Sequence, residues 1–334
     1  MEKVFIILFT AFAFSSCEMF IMEGDKSSSK ATDNFEYLWN ECNLKYSYFD
    51  LKKIDWDSIK DVYSPKIYDE MSDDSLFDVL GQMLNELKDG HVNLKSSFNR
   101  SFYGFRYKGQ DNFEWRIIED NYLHNYYKRS GPFTHDFIAD GQVGYIRFGE
   151  FTGEIDSLNF DYVLERYKDT KGLILDLREN GGGYVSDVFK ILNRFVDTTT
   201  SVYYTRIKSG PGHNDFTEPE VYNLKPYKGL KYNKKVAVLT DRGTFSAASF
   251  TSLATKAIPN MILIGDTTGG GLGLPNGGQL PNGWIYRFSI TQALTLDLDE
   301  SYENGVPPDI YAKLDWTDLT KDEIIERALV ELLN

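Results

Sequence analysis

Two apolar runs, Gly172-Leu-Ile-Leu-Asp-Leu177 and Val236-Ala-Val-Leu-Thr240, each pass through a turn of small residues into a helical stretch. Val143 to Phe148 precedes them, Met261 to Ile264 follows, and helical stretches run from Val185 to Phe195 and from Phe245 to Lys256. Strands that alternate with helices in this way predict an α/β domain with a mostly parallel sheet, placed here over residues 141–334.

Both turns carry groups suited to chemistry. In Arg178-Glu-Asn-Gly181-Gly182-Gly183 the glycines leave backbone N–H groups unobstructed beside a positive helix end, where a phosphate or a developing oxyanion could bind. A tight strand-to-helix packing turn explains the same glycines equally well. In Thr244-Phe245-Ser246-Ala247-Ala248 a serine opens a helix among small neighbours, so a carbonyl could approach Ser246 with the Ala247 N–H aimed at its oxygen. Taken alone, Ser246 is also what an ordinary N-cap looks like. The chain has no GxxxxGK[ST] phosphate loop, no HExxH and no CxxC, so nucleotide hydrolysis and zinc chemistry lack their usual signals and no cofactor is expected.

The chain opens differently. Val4 to Phe14 is apolar except for Thr10 and follows Lys3, which reads as a signal peptide over residues 1–16, too short to span a bilayer. Phe14-Ser-Ser-Cys17 resembles the lipobox of bacterial lipoproteins, with Phe14 where Leu is usual, and makes Cys17 the lipidated residue; a plain secretory signal beside a coincidental cysteine is the alternative. Residues 17–32 then form a polar tether, which places the protein in the bacterial cell envelope, periplasmic or surface-facing, and on a membrane through its lipid only. A helical module is expected over residues 33–95, from Trp56, Ile59, Val62 and Tyr63, then Leu76 to Leu87 with Ser72 and Asp73 at its start and Gly90 past its end. His91 follows that stop. Cys42, in the apolar stretch with Phe35, Leu38 and Trp39, reads as a buried structural thiol. Residues 96–140 read as an irregular β-rich connector, and Thr320 with Glu323 reads as a capping box for a last helix. A formal net charge of −14 without a Lys/Arg cluster speaks against nucleic acid as a partner.

Four blocks in order, Gly172-LILDLRENGGGYVSDV, KVAVLTDRGTFSAASF, Gly265-DTTGGG and Tyr302-ENGVPPDI, resemble the C-terminal processing (tail-specific) serine protease family. The resemblance runs from about residue 33 to the C-terminus and implies a crotonase-like α/β core. One branch of the family pairs its serine with a lysine in a GExTxGKG turn; here that position is Gly271 and the lysine is missing. The chain looks like the other branch, typified by the tricorn protease core, which places a helical module before its sheet and uses serine, histidine and glutamate. That resemblance implies Ser246 as nucleophile, His91 as general base and Glu303 as the acid that orients the imidazole. It implies an oxyanion hole of the Gly182 and Ala247 N–H groups, with Gly181 or Gly183 in place of Gly182 if the alignment slips by one. His124, His135 and His213 receive no role. Taken alone, Glu303 is equally well explained as part of the acidic run Asp297, Asp299, Glu300.

The short stretch between His91 and Val143 shows no PDZ-like glycine loop, so no PDZ domain is expected. The implied function is a serine endopeptidase acting on peptides or unfolded protein through an acyl-enzyme on Ser246. A non-catalytic ligand- or peptide-binding lipoprotein on the same fold is the alternative.

Overall fold

The structure, a computed structural model, describes residues 27–104, 110–153 and 155–334. The signal peptide, Cys17 and most of the tether lie outside the described residues. The N-terminal module comprises α1 (Ala31–Lys45), α2 (Phe49–Lys52), α3 (Trp56–Tyr63) and α4 (Asp73–Asn85). Caps start the last two: the Asp55 carboxylate accepts from Ser58 N, and the Ser72 hydroxyl from Ser75 N. The α4 helix stops before Gly90, because the chain turns left-handed at Lys88 (φ 50°) and not at the glycine. Trp39 and Trp56 each donate their indole N–H to the other's carbonyl at 3.1 Å, which locks α1 to α3. Cys42 lies in this core, and burial pushes its thiol well up.

After the module come β1 (Asn93–Lys95) and β2 (Arg100–Phe102). The stretch expected to be irregular is more ordered than its composition suggests. It holds α5 (Trp115–Asn121), too short for a periodic signal and capped by the Glu114 carboxylate, then β3 (Lys128–Ser130) and β4 (Phe133–Ile138). Both strands belong to the main sheet, which therefore begins ahead of residue 141.

The remainder runs β5 (Val143–Arg147), α6 (Ser157–Tyr167), β6 (Gly172–Asp176), α7 (Val185–Leu192), β7 (Thr200–Ile207), β8 (Glu220–Leu224), β9 (Lys235–Thr240), α8 (Ala247–Thr255) and β10 (Met261–Gly265). It closes with β11 (Pro275–Gln279), β12 (Ile285–Ser289), β13 (Thr291–Leu294), β14 (Ile310–Tyr311) and α9 (Glu323–Leu333). The main sheet has seven strands in the order β14-β10-β9-β6-β5-β4-β3. It is parallel from β14 to β5 and antiparallel at β4 and β3. Both faces are covered, one by a core shared with α6, α7 and α8 and the other by α5 and α9, as a mixed but mostly parallel sheet requires. The α9 helix is capped by the Asp322 carboxylate, which accepts from Ile324 N and Ile325 N, whereas the Thr320 hydroxyl donates to Asp318. The expected capping box is thus replaced by a single Asp cap.

Two small sheets flank this core, β11-β12-β1-β2 and β13-β7-β8. The first joins the helical module to the sheet domain, because β1 pairs antiparallel with β12 (Leu94 opposite Tyr286) and both residues are buried in the module's core. Ser47 strengthens the joint by donating its N–H and hydroxyl to Ser289 O. His91, two residues before β1, is carried to the sheet domain by this pairing.

Candidate active site

Ser246 sits in the turn from β9 into α8 with φ 55° and ψ −120°. Such a backbone conformation is costly for a residue with a Cβ and persists only where neighbours impose it. Here Phe245 N donates to Asn180 O at 2.9 Å and Ser246 N to Gly270 O at 3.0 Å. The serine occupies the N-cap position but performs no capping. Its Oγ instead lies 3.0 Å from His91 Nε2.

The imidazole is held from several sides. Asp89 Oδ1 accepts the His91 backbone N–H at 2.8 Å, and the Phe245 ring lies 4.8 Å away, centroid to centroid. Burial lowers the His91 pKa to about 4; the charge of Asp89 opposes this, while Arg287 and Lys52 add to it. The ring is therefore neutral at neutral pH. For Nε2 to accept the serine proton, the ring's own proton must be on Nδ1, which is buried within reach of the Gly273 backbone but without a well-formed hydrogen bond.

Glu303 is buried in a short 3-10 turn, Ser301–Asn304, unlike the exposed Asp297 and Asp299. Its Oε2 accepts from Leu272 N at 2.6 Å and Gly273 N at 3.0 Å. It makes no hydrogen bond to the imidazole, so the expected direct orientation of the ring by Glu303 is not the arrangement found. Burial and then the charge of Asp89 push its carboxyl well up, which favours the protonated form. Asp89, not singled out from the sequence, is equally buried and takes Ser289 Oγ at 2.8 Å and Tyr46 OH at 3.2 Å on Oδ2. The Tyr48 hydroxyl completes the cluster, buried within electrostatic reach of both carboxyls but without a well-formed hydrogen bond.

The glycine turn lies where an oxyanion hole requires it. Gly182 has φ 92°, and a Cβ there would come within 2.7 Å of Ser246 Cβ and 2.8 Å of Ala247 N, so only glycine lets the turn lie against the serine. Its own N–H, however, donates to Asn180 Oδ1 at 2.9 Å. The Ala247 N–H, first of α8, has no partner among the described residues, and neither do those of Gly181 and Gly183. The donor pair left available is thus Ala247 with a neighbour of Gly182.

At Gly271, where a lysine would stand in the other branch, φ is 72° and a Cβ would meet the Phe245 ring at 2.3 Å. The ring beside His91 therefore occupies the space a lysine stem would need. The other histidines have structural partners: His124 lies on Asp136, His135 between Tyr167 and Ser130, and His213 on Asn43. Asp89, Asn180 and Phe245 carry no sequence signal beyond their neighbours; only the DGH spacing around His91 could have drawn attention to Asp89.

The model of peptidase family S41 matches residues 142–312, and that of the tricorn protease C1 domain matches residues 29–85. The carboxy-terminal processing protease CtpA of Bacillus subtilis (strain 168) is 31% identical over 178 residues, covering 52% of this chain and 35% of CtpA. The chain thus spans about a third of the length of the curated relatives it matches. A crystal structure of a candidate peptidase from Parabacteroides merdae ATCC 43184 is 38% identical with a TM-score of 0.87, covering 92% of this chain and 98% of that one. The tricorn protease shares the fold at 16% identity and a TM-score of 0.57, over 91% of this chain and 37% of its own. With the S41 match spanning half of its length, this chain belongs to peptidase family S41, the C-terminal processing serine peptidases, and carries a tricorn-like module before its sheet domain.

Proposed function

We propose that the protein is a serine endopeptidase that hydrolyses peptide bonds through an acyl-enzyme on Ser246. One observation carries the reading: a strained serine at a helix start lies 3.0 Å from the Nε2 of a buried, neutral histidine. His91 takes the Ser246 proton as Oγ attacks the substrate carbonyl. The oxyanion forms against the Ala247 N–H and a second N–H from Gly181 or Gly183, each such donor contributing about 3 kcal/mol. The imidazolium then passes its proton to the leaving amine. Water, deprotonated by the same ring, releases the acyl group and restores the Ser246 hydroxyl. Glu303 acts through the Leu272–Gly273 backbone and as a buried acid beside Asp89, and Asp89 fixes the histidine's main chain.

The substrate class is peptide or unfolded protein, and the position is the cell envelope with Cys17 as lipid anchor. This second part rests on the residue pattern before Ser27 alone. Replacing Cys17 with Ala should release the protein from the membrane fraction and abolish labelling by a fatty-acid analogue; unchanged fractionation would remove the anchor. For the chemistry, a soluble form starting at Ser27 is incubated with a mixed peptide library beside Ser246→Ala and His91→Ala, with acyl-enzyme trapping and mass spectrometry. Cleavage lost in both variants, with the adduct on Ser246, supports the reading. A folded protein that neither cleaves nor forms an adduct returns the ligand-binding alternative.

A further inference from the structure

The outer face of the β11-β12-β1-β2 sheet gathers cations where an acidic chain has little reason to place them. Side chains alternate across a strand, and burial shows which side faces out: Leu94, Tyr286 and Phe288 point into the module's core, while Lys95, Arg100, Phe102, Ile285 and Arg287 are exposed. Lys95 is directly opposite Arg100 across the β1–β2 pair, and Arg287 is opposite Asn93 across β1–β12. Like charges directly opposite each other destabilise a sheet. Burial and then the Arg100 charge disfavour the charged form of Arg287, with the buried Asp89 carboxylate opposing them. None of the three cations has an ion-pair partner among the described residues, although the chain carries 50 Asp and Glu against 36 Lys and Arg.

This face adjoins the site. Asn93, in the same row as Arg287, donates its side-chain N–H to His91 O at 3.0 Å, and the Arg287 charge reaches the imidazole. Phe102 and Ile285, both about half exposed, supply apolar surface between the charges.

We propose that Lys95, Arg100 and Arg287 form a subsite for acidic residues of the polypeptide substrate, beside the scissile bond on the His91 side of Ser246. The proposal rests on the peptidase reading for its occupant. Charge complementarity selects a peptide over a membrane: recognition of anionic lipid takes clusters of about four to eight cations, and this face carries three. An acidic peptide segment instead relieves the repulsion between Lys95 and Arg100 and meets three donors in one patch. Exposed ion pairs of this kind are individually weak and additive only in part, so the preference is expected to be modest and sensitive to salt.

The test uses two cleavable peptides of one sequence, flanked either by Asp and Glu or by Asn and Gln. The acidic peptide should show a KM lower by about three- to tenfold with similar kcat, an advantage that fades as salt rises. Arg100→Gln with Arg287→Gln should bring the ratio of the two KM values close to one. Lys225→Gln with Lys228→Gln, an equal charge change in the exposed segment after β8, should leave that ratio intact. Equal KM values for the two peptides in an active wild-type enzyme would overturn the subsite while leaving the peptidase reading standing. If no peptide is cleaved, direct binding of the same labelled peptides to Ser246→Ala decides the two readings separately. Acidic-selective binding that needs the two arginines keeps the subsite without the chemistry, and unselective binding overturns it. Capture of phosphatidylglycerol vesicles through the same arginines, with no peptide preference, would assign the face to a membrane and overturn the proposal.

Discussion

Two of the buried polar clusters among the described residues are built on opposite terms. Around Arg178 every demand is met: its guanidinium binds Asp176 and Asp322 at 2.7 Å each and also donates to Asn112 O, while Tyr145 OH donates to Asp176 at 2.8 Å. All four side chains are fully buried. Around His91 two polar atoms, its Nδ1 and the Tyr48 hydroxyl, are buried without a well-formed hydrogen bond, and two carboxyl groups share one small space. A fully satisfied network rigidifies a fold, whereas unsatisfied groups and strained backbone are tolerated where they serve chemistry. The first cluster fastens β6 to the start of α9; the second lies behind the nucleophile.

The largest effect should come from the second cluster and touch activity alone. Ser246→Ala and His91→Ala should each lower kcat/KM by at least about a thousandfold, and the double variant should be little worse than either single one, because the two act as a unit. Midpoints of urea unfolding at pH 7 should move little. A multiplicative double-mutant loss would separate the two residues mechanistically and break the assignment.

The reverse is expected at Arg178. Replacing it with Met leaves Asp176 and Asp322 as buried carboxylates without an ion-pair partner, with only the more remote Arg147 charge acting on Asp176, and should cost about 3–5 kcal/mol of stability. Any activity loss should follow the unfolded fraction. A folded, stable Arg178→Met protein with impaired turnover would mean that this cluster also belongs to the site.

Titration sharpens the contrast further. His91 binds its proton at about pH 4 when folded and near 6.5 when unfolded, so the unfolded chain takes up the proton first as pH falls. The stability difference between wild type and His91→Ala should therefore be constant above about pH 6.5 and decline towards pH 4, by an amount on the order of 3 kcal/mol. The acid limb of kcat/KM should also lie well below that of an ordinary histidine. Glu303 runs the other way: its raised pKa means wild type should lose stability relative to Glu303→Gln as pH climbs above about 4.5. His135 has the same lowered pKa as His91, so only the difference between wild type and variant isolates the active-site ring.

The contrast also explains what the sequence could disclose. Strands β6 and β9 and the helices after them were legible because unbroken apolar runs and small-residue turns report local demands. The pairing of His91 with Ser246 was legible only through the family resemblance, since it depends on β1 finding β12, a contact between distant segments that no periodicity encodes. The two roles refined by the structure, Glu303 and Gly182, share one cause. In each, the residue is where it was expected, but the donor or acceptor is committed to a backbone or side-chain partner that only packing reveals. The connector carries little local signal for a different reason. Its strand β4 takes its order from pairing with β5 and β3 from pairing with β4, and α5 is shorter than two helical turns.

The smallest effect provides the closest comparison, because the same atom can be removed from each cluster. Tyr145→Phe deletes a hydroxyl that donates to Asp176 in the satisfied network, and should destabilise by about 1–2 kcal/mol as that carboxylate loses a donor. Tyr48→Phe deletes a hydroxyl that has no proper partner in a fully buried site, so its removal relieves a desolvation cost and should be neutral or stabilising by up to about 1 kcal/mol. Urea unfolding of the two variants at pH 7 distinguishes these signs. A clear loss of stability in Tyr48→Phe would show that its hydroxyl does bind Glu303 in solution, and the two clusters would then differ in function without differing in how well they are satisfied.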